Sequence, residues 1–259
     1  MTAPNALQPT AALGDRVLLP GDPGRALMLA ESLLEGAKMF NHHRGLWGYT
    51  GLAPDGEPLT IQSTGMGGPS AAIVIHELIE LGARRLLRVG TCGALNEALA
   101  LGDLVIATEA LAADGTSRAL GAGERVAATP DLLATVVASA EAPFPDPDGD
   151  PHAIHYGPIV TSDVFYDARG LEQSWSAAGA LAVEMEAATL FTLAAARGVD
   201  AAALLVVSDI VLPERVRIGE DELRAAEQRM GAAALRALTA GAQPRQPPQP
   251  RQPPRRAQP

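Results

Sequence analysis

The chain has 259 residues, 47% of them hydrophobic, a formal net charge of −10 and a single cysteine. One cysteine excludes an internal disulfide framework and fits a reducing compartment. No run reaches the ~18 unbroken apolar residues of a membrane span, and no basic segment followed by an apolar run opens the chain, so a cytoplasmic location is expected.

In chain order, residues 1–14 read as a polar, irregular lead-in. An apolar strand near 16–20 runs into Pro20-Gly21-Asp22-Pro23-Gly24-Arg25. Asp22 suits the cap of a helix near 24–36, and Pro23 suits its first position, where a missing N–H costs nothing. The free N–H groups of such a turn form a concave anion site, and Arg25 adds a full positive charge beside them. The segment is neither a P-loop nor G-x-G-x-x-G, so a small free oxyanion fits better than bound nucleotide; a plain capped helix is the alternative. Arg44, in Asn41-His42-His43-Arg44-Gly45, precedes a strand near 45–52 and alone reads as a surface charge. His42 and His43, as neighbours on a strand, would point apart, so no metal site is expected. A strand near 58–64 and a helix near 69–82 follow. A strand near 85–90 then ends in a second Gly-rich turn, Arg88-Val89-Gly90-Thr91-Cys92-Gly93. A charge inside an apolar strand is costly without a partner. Arg88 therefore either meets a core carboxylate or points at the same anion as Arg25, with the Thr91 hydroxyl as a further donor. An Arg fork donates two parallel hydrogen bonds to phosphate. Cys92 reads as a small packed residue rather than a nucleophile.

Further on, a strand near 103–109 and a helix near 130–140 lead to Glu141–His152, a Pro- and Asp-rich exposed loop. Strands near 154–162 and 180–185 flank a helix near 168–178. The second of these strands ends in Glu184-Met185-Glu186, before a helix near 187–198. Period-two alternation puts Glu184 and Glu186 on one side, with Met185 opposite. A carboxylate there can accept a hydrogen bond from each hydroxyl of a vicinal diol; compensation of the helix dipole is the alternative. A buried strand near 202–208 runs into Ser208-Asp209, where strand ends line the crevice of an open α/β sheet. Asp209 holds a proton if its site is partly apolar, or simply caps the next turn. A helix near 220–240 follows, then a tail, 243–259, that repeats Gln-Pro-Arg-Gln-Pro-Pro and reads as disordered or polyproline-like. The tail carries four Arg and no acid, so the body stands near −14, which argues against nucleic acid as the main partner. Strand–helix alternation over 15–240 predicts one three-layer α/β/α domain.

Taken together, Pro20-Gly21-Asp22-Pro23 with Arg25, Arg44-Gly45, Gly65-Met66-Gly67, Arg88–Gly93, Ser162-Asp163-Val164-Phe165-Tyr166, Val183–Ala188 and Ser208-Asp209 resemble the nucleoside phosphorylase-I family, in its hexameric bacterial purine nucleoside phosphorylase and uridine phosphorylase branch. The resemblance spans about residues 15–210. It implies a mixed, partly barrel-like sheet and reversible cleavage of an N-glycosidic bond by inorganic phosphate, with no other cofactor. It implies that Gly21, Arg25, Arg88 and Thr91 hold phosphate, and that Arg44 reaches the phosphate of a neighbouring subunit in a dimer-built hexamer. Met66, Glu184, Met185 and Glu186 would hold the ribose, with Glu186 on its 2′ and 3′ hydroxyls. Phe165 and Ser208 would face the base, and Asp209 would donate a proton to purine N7. Arg88 and Asp209 would be the catalytic pair.

Three departures matter. Asn5 stands where the family commonly carries a His for the sugar 5′-hydroxyl. Thr91 replaces a Ser and keeps the hydroxyl. Asp167-Ala168-Arg169-Gly170-Leu171 lacks the Gln with which uridine phosphorylases read their base, which favours a purine substrate. Arg215, Arg217 and Arg224 are all candidates to assist Asp209. Uridine phosphorylase, and 5′-methylthioadenosine phosphorylase or nucleosidase, are the alternative activities; a nucleoside-binding protein without turnover is the non-enzymatic one.

Overall fold

A computed structural model describes residues 6–142, 152–212 and 214–240. Asn5, most of the 141–152 loop and the 243–259 tail lie outside the described residues. The parallel strands β1 (Arg16–Leu19), β5 (Arg85–Ala94) and β10 (Asp200–Ile210) lie side by side at the centre of the sheet. On one flank, β4 (Pro58–Gln62), β3 (Gly48–Leu52) and β2 (Glu35–Asn41) extend it beyond β1. On the other, β6 (Leu104–Ala112), β8 (Ile154–Thr161) and β9 (Ala182–Glu184) run from β10 back to β5. The pairs β10–β6, β6–β8, β8–β9, β9–β5 and β5–β10 therefore close a five-strand barrel of mixed direction. The short β7 (Arg125–Ala127) and β11 (Val216–Arg217) pair with β6 and β10.

Helices cover both faces, and strand alternation assigns each side chain to one. Leu18, Leu87, Val89, Leu204 and Val206 pack beneath α1 (Pro23–Leu33), α4 (Pro130–Glu141) and α7 (Glu220–Thr239). Val17, Leu19, Leu86, Leu205 and Val207 pack beneath α2 (Gly68–Leu81) and α6 (Ala187–Arg197). The short α3 (Gly115–Ala119) and α5 (Glu172–Ala177) border the barrel. Burial on both faces is why these strands read as unbroken apolar runs.

Several boundaries differ from the sequence reading. Helix α1 starts as expected, with the Asp22 carboxylate accepting from Gly24 N at 2.5 Å, but ends at Leu33 rather than 36. β2 opens directly at Glu35, with Gly36 inside it at φ +61° where the register shifts. That strand exposes five of its seven residues and so carries no alternation to read. His42 and His43 do not lie on a strand, since 43–45 form a 3-10 turn before β3. The segment Arg88–Gly93 is not a turn: β5 continues to Ala94 because β10 pairs with it throughout. Residues 6–14 contain no helix or strand, yet Ala6 and Leu7 are buried and both their N–H groups donate to Glu77 on α2.

Candidate active site

The C-terminal ends of β1, β5 and β10, with the start of α6, surround a cavity of about 490 Å³. Every residue expected to hold phosphate, ribose or base lines it except Arg44. The cavity lining includes Gly21, Arg25, Arg88 and Thr91, then Met66, Met185 and Glu186, and Phe165, Ser208 and Asp209. Arg44 sits exposed in the 3-10 turn with φ +57° and is not among the residues that line this cavity.

The carboxylates of the site are built at the N-terminus of α6. Glu184 ends β9 with its side chain fully buried. Its oxygens accept from Thr161 Oγ1 (2.5 Å), Glu186 N (2.8 Å), Ala187 N (3.0 Å) and Arg88 Nε (2.8 Å). Four donors on two oxygens leave nothing for a sugar hydroxyl, so the expectation that Glu184 grips the ribose is corrected. Glu184 instead fixes Arg88 and the start of α6. Thr161 locks it in turn, because its own oxygen accepts from Ala188 N at 2.9 Å. Thr161 was not singled out from the sequence, where a Thr ending a strand carries no distinguishing signal. Thr161→Val keeps the shape and removes both bonds. It is expected to lower unfolding free energy by about 1–3 kcal/mol, measured by urea denaturation.

Glu186 is different. It lies beyond β9, so the period-two reading that set Met185 opposite the two Glu fails past Glu184, and all three line the cavity. One Glu186 oxygen accepts from Gly67 N (2.5 Å), and the other meets Arg88 Nη2 (2.5 Å). Burial, partly countered by Arg88 and reinforced by Glu184, holds its pKa above the usual carboxylate range. Burial works against the Arg88 charge, but Glu186 and Glu184 outweigh it and raise its pKa. Gly90 makes room for this guanidinium: a Cβ there would stand 2.8 Å from Arg88 Cζ. Cys92 is buried, its thiol pushed far up by burial, which agrees with a packed residue.

β10 bulges between Val207 and Asp209, which brings both Ser208 and Asp209 to the cavity. Asp209 Oδ1 accepts from Arg217 Nε at 2.8 Å and Oδ2 from Ser208 Oγ at 2.9 Å. Of the three arginines that sequence could not separate, Arg217 meets Asp209, because β11 pairs Arg217 with Asp209 across an antiparallel ladder. Arg215 stacks on the Phe165 ring, 5.0 Å from its centroid. Trp175, from α5, adds an apolar wall that sequence reasoning missed.

The closed mixed barrel between helical layers, with its cleft at the strand ends, defines an α/β enzyme. A family model described as the phosphorylase superfamily matches residues 15–240. A purine nucleoside phosphorylase DeoD-type from Geobacillus kaustophilus (strain HTA426) is 40% identical over 207 residues, covering 78% of this chain and 84% of that protein. A guanosine phosphorylase from Halorubrum lacusprofundi is 37% identical over 229 residues, 83% and 91% of the two chains. The crystal structure of a uridine phosphorylase from Vibrio fischeri ES114 superposes with a TM-score of 0.75 at 26% identity, covering 87% of this chain and 90% of that one. The chain belongs to the nucleoside phosphorylase-I family of this superfamily and is an enzyme of pentosyltransferase type. No helix among the described residues is long and apolar enough to cross a membrane.

Proposed function

We propose that this enzyme catalyses the reversible phosphorolysis of purine ribo- and deoxyribonucleosides to free base and pentose 1-phosphate, as a cytoplasmic salvage activity. The observation that carries the reading is the convergence of Arg25, Arg88 and Thr91 with Glu186 and Asp209 in one cavity. Inorganic phosphate is the co-substrate, and the reaction needs no metal or organic cofactor. A phosphate oxygen attacks C1′ while the C1′–N9 bond breaks, and the bonding pair leaves with the base. Positive charge grows on the ribosyl ring, and the phosphate dianion held by the arginines balances it. Glu186 holds the 2′ and 3′ hydroxyls, with Met66 and Met185 against the pentose. Phe165 flanks the base. Asp209 gives its proton to N7, and is left as the carboxylate that Arg217 and Ser208 hold.

The purine preference rests on two features: Asp209 with its Arg partner, and the absence of a Gln in 167–171. Arg25 and Arg88 already carry carboxylate partners from their own chain, so a further cation beside them is needed for a dianion. Arg44 from a neighbouring protomer supplies it in a homo-oligomer, a dimer-built hexamer. The test is release of free base from inosine, adenosine, guanosine, uridine and methylthioadenosine, with and without phosphate. Inosine cleavage that needs phosphate, with uridine far slower, is expected. Equal cleavage without phosphate overturns the reading.

A further inference from the structure

We infer that Glu227 is the positioning residue for Arg25 in the anion subsite, an inference that rests on the phosphate-binding reading above. Arg25 stands in the first turn of α1, where the helix dipole disfavours a cation. Its side chain is 11% exposed, and that of Glu227, on α7, 12%. A carboxylate and a guanidinium so far removed from water each need a partner, and they find each other across 202 residues of chain. Both Arg25 Nε and Arg25 Nη2 lie 2.6 Å from the same oxygen, Glu227 Oε1.

This edge-on grip has a counterpart. Arg88 is held in the same way, its Nε on Glu184 at 2.8 Å and its Nη2 on Glu186 at 2.5 Å. A guanidinium has five N–H donors. Holding one at Nε and one at Nη2 leaves the Nη1 pair and one Nη2 hydrogen, the terminal fork that receives a phosphate oxygen pair. Arg25 is otherwise a long side chain whose stem begins in the first turn of α1. Without a fixed Nε edge its fork samples many rotamers, and ordering it on phosphate binding costs affinity. Glu227 thus does for Arg25 what Glu184 and Glu186 together do for Arg88. It belongs to α7, whose other end is fastened by Arg16 and Arg85 to the Leu238 carbonyl. That anchorage makes α7 a rigid support for the carboxylate.

The test uses Glu227→Gln, Arg25→Gln and the double variant of the full chain. Inorganic phosphate is the probe, in initial-rate kinetics and in calorimetric titration of phosphate without nucleoside. Glu227→Gln is expected to raise both KM and Kd for phosphate about tenfold, by analogy with the loss found when a residue that orients a metal ligand is removed. The KM for inosine is expected to move less than twofold. In the Arg25→Gln background the same substitution should cost nothing further, since Glu227 acts only through Arg25; a purely structural role would add in both backgrounds. An unchanged phosphate Kd, a tightened one, or equal cost in both backgrounds overturns the inference. If wild type binds phosphate but does not turn over inosine, the phosphorylase reading fails while the titration still decides Glu227. Wild type that binds no phosphate defeats both.

Discussion

Arg88→Met is expected to reduce phosphate-dependent cleavage of inosine by about 10³-fold, the loss seen when one preorganised charge-stabilising donor is removed from an active site. The same substitution leaves Glu184 and Glu186 buried beside each other with no cation between them. Removing one partner from a buried ion pair costs about 3–5 kcal/mol, so thermal unfolding of the variant should shift strongly downward. Arg88→Lys separates the two effects. A Lys keeps the charge for the carboxylates but offers a point charge in place of a planar fork. It should therefore recover much of the stability and little of the turnover. Steady-state kinetics with circular dichroism melts on both variants read the outcome. Inosine turnover within tenfold of wild type in Arg88→Met would remove Arg88 from the reaction.

Asp209→Asn carries the second large effect. An amide still accepts from Arg217 but has no acidic proton to deliver to N7. General-acid catalysis is worth about 10²–10⁴-fold, and a fall in kcat for inosine within that range is expected. The control is 7-methylguanosine, whose base is already cationic and leaves without a proton on N7. Its cleavage should change by less than about fivefold, far below the general-acid contribution. Equal losses on the two substrates would make Asp209 a binding group rather than the acid.

Much of the site was readable because it sits where strands end. Gly21 and Arg25 follow β1, Arg88 and Thr91 lie on β5, and Ser208 and Asp209 lie on β10. Each segment breaks an apolar run with a polar or glycine residue, and that contrast survives in one dimension. What was misread lies where a local pattern has two structural meanings. The glycines at 90 and 93 look like a turn, yet they are strand residues that leave space for the Arg88 guanidinium and for Val211. The two Glu flanking Met185 look equivalent by spacing, yet Glu184 accepts from four donors of its own chain while Glu186 accepts from Gly67 N and meets Arg88. Strands β2, β7 and β11 and helix α3 were missed because they are exposed, or too short to show a period.

By itself the sequence determined the alternation of strands and helices, the two helical layers, and the set of residue types that face the cleft. These follow from apolar periodicity and from interruptions of it, which are local properties. The tertiary structure alone decided closure of the barrel through β5 and β10, the choice of Arg217 over Arg215 and Arg224, and the pairing of Arg25 with Glu227. Each of these joins groups through ladder register or helix packing. Such joins depend on how distant elements meet in space, and no spacing along the chain encodes them.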